Sequence, residues 1–516
     1  MFNQIKSCIA NHAATLLAAI GAAVLAVHLI TVVDYPASWF DEIEILEIGR
    51  FSVFDQFPDW TILLHPGSGD ALNPMAPMFH YLAGAIQEAL YRLTGSFVPS
   101  RVFFLLSLPV AALLLFRWLT TKGIPVAAAF CAALFFLLDP NTTICAHWYR
   151  PDLWTTSCAL GAMILLAETR GDATGRRPAA CFAAGALSAV MLFLWITSML
   201  LLPLIGWEAI QSARPRQSDS AGSWANAALR DSLPFIAGGL LAATIILIPL
   251  YPHVSAIIAQ YAEHSELGGG VNLLDGLARR FADFIKIAAR SPFVWTAALG
   301  GILLARRFAL HVVVFFGLCA LMLATRVYHL RMIQLTPFLF LFAALTFAWA
   351  FDRGGRAFRL CRTLLLAGAA LGYFGLSVLA LNYAALPGGN TFAGLTEKLE
   401  TALPMKSPRV YLYDAEHELY YSGRALGWRM YAYSPRNLVF DASKTAGLLD
   451  KVDAVVITAA AEQPTPEEMK TLTDHGFSQT ASVAMPPPAG SALRHRLADL
   501  FYAHGYPSCA IFTRTH

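Results

Sequence analysis

Residues 13–33 read AATLLAAIGAAVLAVHLITVV, and residues 34–44, which follow, read DYPASWFDEIE. The first stretch is apolar enough and long enough to cross a hydrocarbon core of ~30 Å as one helix. It is too long for the apolar region of a signal peptide, and no small-x-small cleavage site follows it. It therefore reads as an uncleaved first span. The second stretch carries Asp41 and Glu42 about eight residues past the end of that span. A carboxylate held near a membrane surface can take a proton from an attacking hydroxyl. The plainer alternative is a solvated acidic loop, with Glu47 capping an interfacial helix.

The bulk numbers agree with the first span. The chain has 516 residues, of which 57% are hydrophobic and 14% charged, and its mean hydropathy is +0.54. Soluble domains carry ~25% charged residues. The expected class is an all-α polytopic membrane protein. A net charge of +3 gives no basic field to attract nucleic acid. The eight cysteines are scattered, at no spacing that suggests zinc or a disulfide framework. A Cys145–Cys509 pair is the one disulfide conceivable outside the cytoplasm.

Apolar segments fall near 13–33, 102–118, 124–140, 153–168, 179–195, 197–211, 233–251, 293–305, 308–325, 332–351 and 363–383, which predicts about eleven transmembrane helices. With Lys6 and the N-terminus in the cytoplasm, Arg117, Lys122, Arg170, Arg176, Arg177, Arg214, Arg216, Arg306, Arg307 and Arg353–Arg362 all fall on the cytoplasmic side. Asp34, Asp41, Glu42, Glu44, Glu47, Asp55, Asp59 and Asp70 fall opposite, and the bias reads as holding over every turn. The stretch Pro77–Leu93 is apolar but carries His80, Glu88 and Arg92. It reads as an interfacial helix on the outer side, because counting it as a span would break the charge rule at Arg117 and Lys122.

Beyond about Leu386 the composition changes. Short β-rich runs appear at Val410–Tyr413, Leu438–Phe440 and Ala454–Ile457. Thr465-Pro466-Glu467-Glu468 reads as a helix start with a capping box, and Gly476 as its stop. The expected division is a membrane domain over 1–385, including the first outer loop 34–101 with its interfacial helices, and a small extracytoplasmic α/β domain over 386–516.

Three further constellations could carry chemistry. His147-Trp148-Tyr149-Arg150-Pro151-Asp152 offers a second acid in Asp152 and an anion clamp in Arg150. Alternatively, Asp152 caps a helix while Arg150 anchors among headgroups. Arg326-Val327-Tyr328-His329-Leu330-Arg331 puts cations where the outer side is otherwise poor in them. This fits an anionic headgroup, bound as substrate or as an anchor. Glu263–Glu266 with Gly268-Gly269-Gly270 reads as an outer loop able to close over a substrate. No cofactor follows from the residues, and a divalent metal is the one candidate.

Together these motifs resemble the GT-C superfamily of integral-membrane glycosyltransferases, of the bacterial protein-mannosyltransferase and aminoarabinose-transferase type. Trp39-Phe40-Asp41-Glu42-Ile43-Glu44 matches the acidic motif of the first outer loop, and Ala76–Tyr81, with His80, is similar to the Pro-Pro-Leu-aromatic opening of an interfacial helix. There the family's basic residue is replaced, with Met75 at its position, a departure at the usual donor-phosphate contact. Gly95–Arg101 fits the Gly-spacer-Arg motif. Tyr149–Asp152 resembles the second acidic site, and Tyr328–Pro337 the late Arg-Tyr-Leu-x-Pro stretch. The resemblance covers roughly residues 10–385.

The resemblance implies an inverting enzyme that moves a sugar from a polyprenyl-phosphate donor to a hydroxyl on a cell-envelope glycan, lipid A or protein. Asp41 would be the base, with Glu42 and Asp152 beside it. Arg101, His80, His147, Arg150, Arg326, Tyr328, His329 and Arg331 would bind substrate. The implied partners are the donor, the envelope acceptor and the lipid bilayer, with no nucleic acid. The implied location is the bacterial inner membrane. The rivals are a lipid or solute transporter or flippase, and a phosphoethanolamine-type or acyl transferase.

Overall fold

The computed structural model describes residues 2–33, 45–46, 49–55, 75–147, 150–169, 176–213, 221–253, 276–324, 332–353, 355–385, 391–415, 417–435, 447–458, 465–485, 491–501 and 508–514. They form two compact units. The first comprises Met1–His28, Phe103–Ile248 and Gly269–Ala380, and the second comprises Leu29–Val102, Pro249–Gly268 and Leu381–His516.

The helices in chain order are α1 (Phe2–Leu29), α2 (Met75–Thr94), α3 (Val98–Thr121), α4 (Val126–Leu138), α5 (Pro140–His147), α6 (Asp152–Glu168), α7 (Arg177–Leu194), α8 (Leu202–Ala213), α9 (Ala221–Leu247), α10 (Leu277–Ala288), α11 (Pro292–Leu304), α12 (Ala309–Ala324), α13 (Thr336–Asp352) and α14 (Arg356–Phe374). Single 3₁₀ turns at Ile196–Leu201 and Ile333–Leu335 lead into α8 and α13. All eleven apolar segments are therefore helical. Among the described residues, seven helices are long and apolar enough to cross a membrane, and nine if each of two bent pairs is one span. The pairs are α4–α5, bent by 52°, and α10–α11, bent by 104°. The other two segments are the 17-residue α6 and the shorter apolar helix at Ile196–Gln211. The chain is a multi-pass membrane protein.

Lipid cannot hydrogen-bond a backbone, so apolar runs in this solvent must close their bonds internally as helices. The α13 window is 72% buried and the α9 window 11%, so α13 is central and α9 peripheral. Small residues allow close crossings. A methyl group on Gly185 of α7 would overlap the Phe235 carbonyl of α9, and one on Gly301 of α11 would overlap the Phe342 carbonyl of α13.

Ion pairs tie helix ends together. Arg117 Nε lies 2.5 Å from Glu168, Arg177 Nε lies 2.7 Å from Asp231, and Lys122 pairs with Glu208. These are the ends that the charge rule assigns to the cytoplasm.

In the second unit, Arg101 Nη1 donates to the Val32 and Val33 carbonyls, at 2.9 and 3.1 Å. A guanidinium there neutralises the negative end of α1. It also fastens the start of α3 to the residues that follow α1.

The tail follows with α15 (Leu381–Ala385), α16 (Phe392–Ala402), β1 (Arg409–Ala415), α17 (His417–Ala425), β2 (Arg429–Pro435), β3 (Ala454–Thr458), α18 (Pro466–Asp474), β4 (Phe477–Val483), α19 (Ala492–Phe501) and β5 (Cys509–Arg514). The sheet order is β2-β1-β3-β5-β4. The first three strands are parallel, and β5 and β4 are antiparallel to their neighbours. Tyr411, Val455, Ile457, Leu472, Phe477 and Phe512 form its core. The capping box is present. Glu468 N donates to Thr465 Oγ1 at 3.3 Å, and Thr465 N donates to Glu468 Oε2 at 2.6 Å. Gly476, at φ +78°, follows α18 in the left-handed conformation that glycine adopts without strain. Leu438–Phe440 lies outside the described residues. Cys145 and Cys509 are both free thiols, and burial pushes Cys509 up to about 12.

The described part of 34–101 clusters with the tail rather than with the helices of the first unit. The reason is an ion-pair and aromatic contact between α2 and α17, described next.

Candidate functional site

Of the site residues expected from the sequence, Arg101, His147, Arg150 and Asp152 are described with their side chains. His80 lies in α2, where its backbone alone is described. Asp41, Glu42, Arg326, Tyr328, His329 and Arg331 lie outside the described residues, as does 263–270.

His147, Arg150 and Asp152 all belong to the first unit. Asp152 opens α6 directly after Pro151, so its carboxylate sits in the first turn, at the positive end of the helix. Arg150 Nε donates to Asp152 Oδ2 at 2.9 Å, and neither side chain is exposed. The guanidinium also lies over the Trp195 ring, 4.1 Å from its centroid. Trp195 is able to reach it because the chain turns extended there, at φ −163° and ψ 117°, between α7 and the following 3₁₀ turn. Arg150 is thus held by a carboxylate on one side and an indole face on the other, a partly dry setting in which a cation–π contact is strong. Burial of Arg150 excludes the headgroup-anchor alternative. A charge fixed in this way stabilises a developing negative charge without first reorganising.

His147 ends α5, and its Nε2 lies 2.9 Å from Nδ1 of His28 in α1. Both rings are buried and meet edge to face. One nitrogen must donate and the other accept, so one shared proton serves the contact. This bond sets the end of α5 against the end of α1. His28, Trp195 and the buried Gln334 are site residues that the sequence reading missed. Gln334 lies in the Ile333–Leu335 turn, which packs against α5, α6 and the Ile196–Leu201 turn. Its amide has no hydrogen-bond partner among the described residues.

A second polar cluster pins the two bends of the first unit to each other. Asp139, at the α4–α5 break, accepts from Thr142 N at 3.0 Å and from the Ser291 hydroxyl, at the α10–α11 break. Asn141 Nδ2 donates to Ser291 Oγ at 3.0 Å and to the Ile287 carbonyl at 3.2 Å.

In the second unit, the residues just after Asp41–Glu42 are clamped to α2. Ile45 and Leu46 are buried. A methyl group on Gly84 would overlap the Ile45 carbonyl, and one on Gly49 would overlap the Gly84 backbone. On α2, Glu88 is fully buried and paired with Arg92 and with Arg424 of α17. Tyr91 stacks on Phe97 with centroids 4.2 Å apart, and Phe97 meets Tyr421 at 4.4 Å. Among the described residues no three His, Cys, Asp or Glu side chains are grouped to hold a metal ion.

No family model and no curated protein matches the chain. Solved structures do. ArnT from Cupriavidus metallidurans, in the apo state, matches with a TM-score of 0.58 and 12% identity, over 96% of this chain and 97% of that one. Two classes of a mutant of the arabinofuranosyltransferase AftD from Mycobacteria match with TM-scores of 0.53 and identities of 16% and 17%. They match over 97% of this chain but 42% and 41% of AftD, so the chain spans about two fifths of that protein. This chain therefore has the fold of ArnT and of the matched part of AftD.

Proposed function

We propose that the protein is a membrane glycosyltransferase. It moves a sugar from a polyprenyl-phosphate donor to a hydroxyl on a cell-envelope glycan, lipid A or a protein. The observation that carries this reading is the match to ArnT over nearly the full length of both chains.

In the proposed mechanism Asp41 takes the proton from the acceptor hydroxyl. The hydroxyl oxygen attacks the anomeric carbon from the face opposite the phosphate, and the sugar inverts. The bond from that carbon to the phosphate oxygen breaks, and its electron pair leaves on the lipid phosphate. That leaving group is a weak base, so it needs stabilisation of charge more than it needs a proton. Arg150 supplies a fixed cation, oriented by Asp152. Arg326, Tyr328, His329 and Arg331 bind the donor phosphate, and Glu42 and His80 line the acceptor side. Arg101 holds the residues that follow α1 against the start of α3, and His147 holds the end of α5 against α1. The reading puts the enzyme in a bacterial inner membrane with its N-terminus cytoplasmic and its tail outside.

The test is a mass-spectrometric comparison of surface glycans and lipid A from cells with and without this chain. A sugar-sized mass difference on one envelope component is expected. Identical profiles for every component would overturn the proposal.

A further inference from the structure

The charge bias that orients the helices fails at the turn between α9 and α11, as it does at Arg326–Arg331. The segment between α9 and α11 falls on the side assigned to the exterior, yet it carries Arg279, Arg280, Lys286 and Arg290. The first three lie on α10, which turns away from the apolar α11 by 104°. The corner is fixed by the Asn141 bonds to Ile287 and Ser291 and by the Ser291–Asp139 bond. So α10 cannot swing into line with the span that follows it.

The helix has two faces. Leu277, Phe281 and Ile285 recur every fourth residue and so share one stripe. They are 39%, 55% and 50% exposed. At 100° per residue, Arg279 and Lys286 fall on the opposite arc, and both are exposed as well. Asp283 is the lone acid on the helix. The inward side is closed, with Ile287 buried and Phe284 packed against Trp295 at 5.5 Å. On α11, Leu299 and Leu303 are exposed in turn. An exposed apolar stripe backed by cations, on a helix steeply angled to an apolar helix, fits the membrane–water boundary.

We propose that α10 is a docking surface for anionic phospholipid of the outer leaflet. Leu277, Phe281 and Ile285 enter the acyl boundary, and Arg279 and Lys286 take headgroup phosphates. The choice of occupant rests on charge complementarity and on the exposed apolar stripe beside the apolar α11. The choice of leaflet rests on the orientation given under the proposed function, but the docking does not depend on transferase chemistry.

The test uses the full chain in nanodiscs of phosphatidylcholine mixed equally with phosphatidylglycerol, released and weighed by native mass spectrometry. The wild type should retain phosphatidylglycerol in preference to phosphatidylcholine. Each cation near an anionic surface is worth about fivefold in affinity, so Arg279→Gln with Lys286→Gln should erase about twentyfold of preference. The exchange Arg279→Lys with Lys286→Arg should keep it, which separates charge from folding. Equal retention of phosphatidylglycerol by the wild type and the Gln/Gln variant would overturn the proposal. So would a variant that loses binding of added polyprenyl monophosphate while keeping phosphatidylglycerol, because the helix would then serve the donor. A wild type that shows the lipid preference but transfers no sugar would count against the enzyme reading alone.

Discussion

Arg424 in the C-terminal domain grips Glu88 of α2 across 336 residues of chain. Its Nη1 lies 2.8 Å from Oε2 and its Nη2 lies 3.1 Å from Oε1. Arg92 Nε approaches the same Oε1 at 2.7 Å, and the Arg424 guanidinium lies 4.6 Å above the Tyr91 ring. Within the second unit this contact packs α2 against the tail.

Removing one partner of a buried pair leaves an uncompensated charge and costs ~3–5 kcal/mol. Arg424→Ala should therefore lower the melting temperature of the full chain in detergent markedly. Arg424→Lys should recover little, because an ammonium offers neither the paired fork nor the planar face that stacks on Tyr91. A melting temperature unchanged in Arg424→Ala would show the contact to be incidental.

Arg150 and Asp152 call for a double-mutant cycle. Either single change to Ala strands a buried charge and should reduce folded protein strongly. The double change removes both charges and should recover much of that loss. If Arg150 also stabilises the leaving group, the recovered double variant will still fail to transfer sugar. A double variant that is both folded and active would assign the pair to structure alone.

The tail carries a pH-dependent contact. Hydrogen bonds from the Arg409 side chain hold the Asp453 carboxyl below the usual carboxylate range. A depressed folded-state value means that the contribution is present above the unfolded value of ~3.9 and is lost as pH falls through the folded one. The pair is half exposed, so solvent screening keeps the effect small. Asp453→Asn should lower the melting temperature at pH 7 and leave it unchanged in strong acid. A gap that persists undiminished in acid would contradict the assignment.

The orientation is open to a reporter fusion. Alkaline phosphatase joined to the C-terminus should be active, and a fluorescent protein that matures only in the cytoplasm should be dark. The reverse pattern would place the tail inside and remove the common side that Asp152 and Asp41 need.

The sequence was most legible where the solvent leaves least choice. Each of the eleven apolar segments became a helix, because in lipid nothing else closes the backbone. In the tail, Thr465–Glu468 announced a helix through three residues, and β1 and β3 stood out as buried, β-rich runs. β4 reads FSQTASV and is exposed along its middle, so its polar residues hid it. α10 went unread because the glycine-rich stretch before it suggested a loop, although its fourfold apolar spacing was there to find. The site was legible only in part. Glu88 looked like a charge interrupting an apolar stretch, since nothing local marks a partner 336 residues away. His28 had a usable signal, because an ionisable residue inside a span is a functional candidate by default.

The central claim is that Asp41 is the base of a lipid-linked sugar transfer, and Asp41→Asn tests it most directly. Cells producing the wild type, the variant at equal membrane level, or neither would be compared by mass spectrometry of surface glycans and lipid A. Loss of a general base costs ~10²–10⁴-fold. The modified envelope component should therefore appear with the wild type and be absent with Asp41→Asn. The same component made by the variant at near wild-type level would contradict the account.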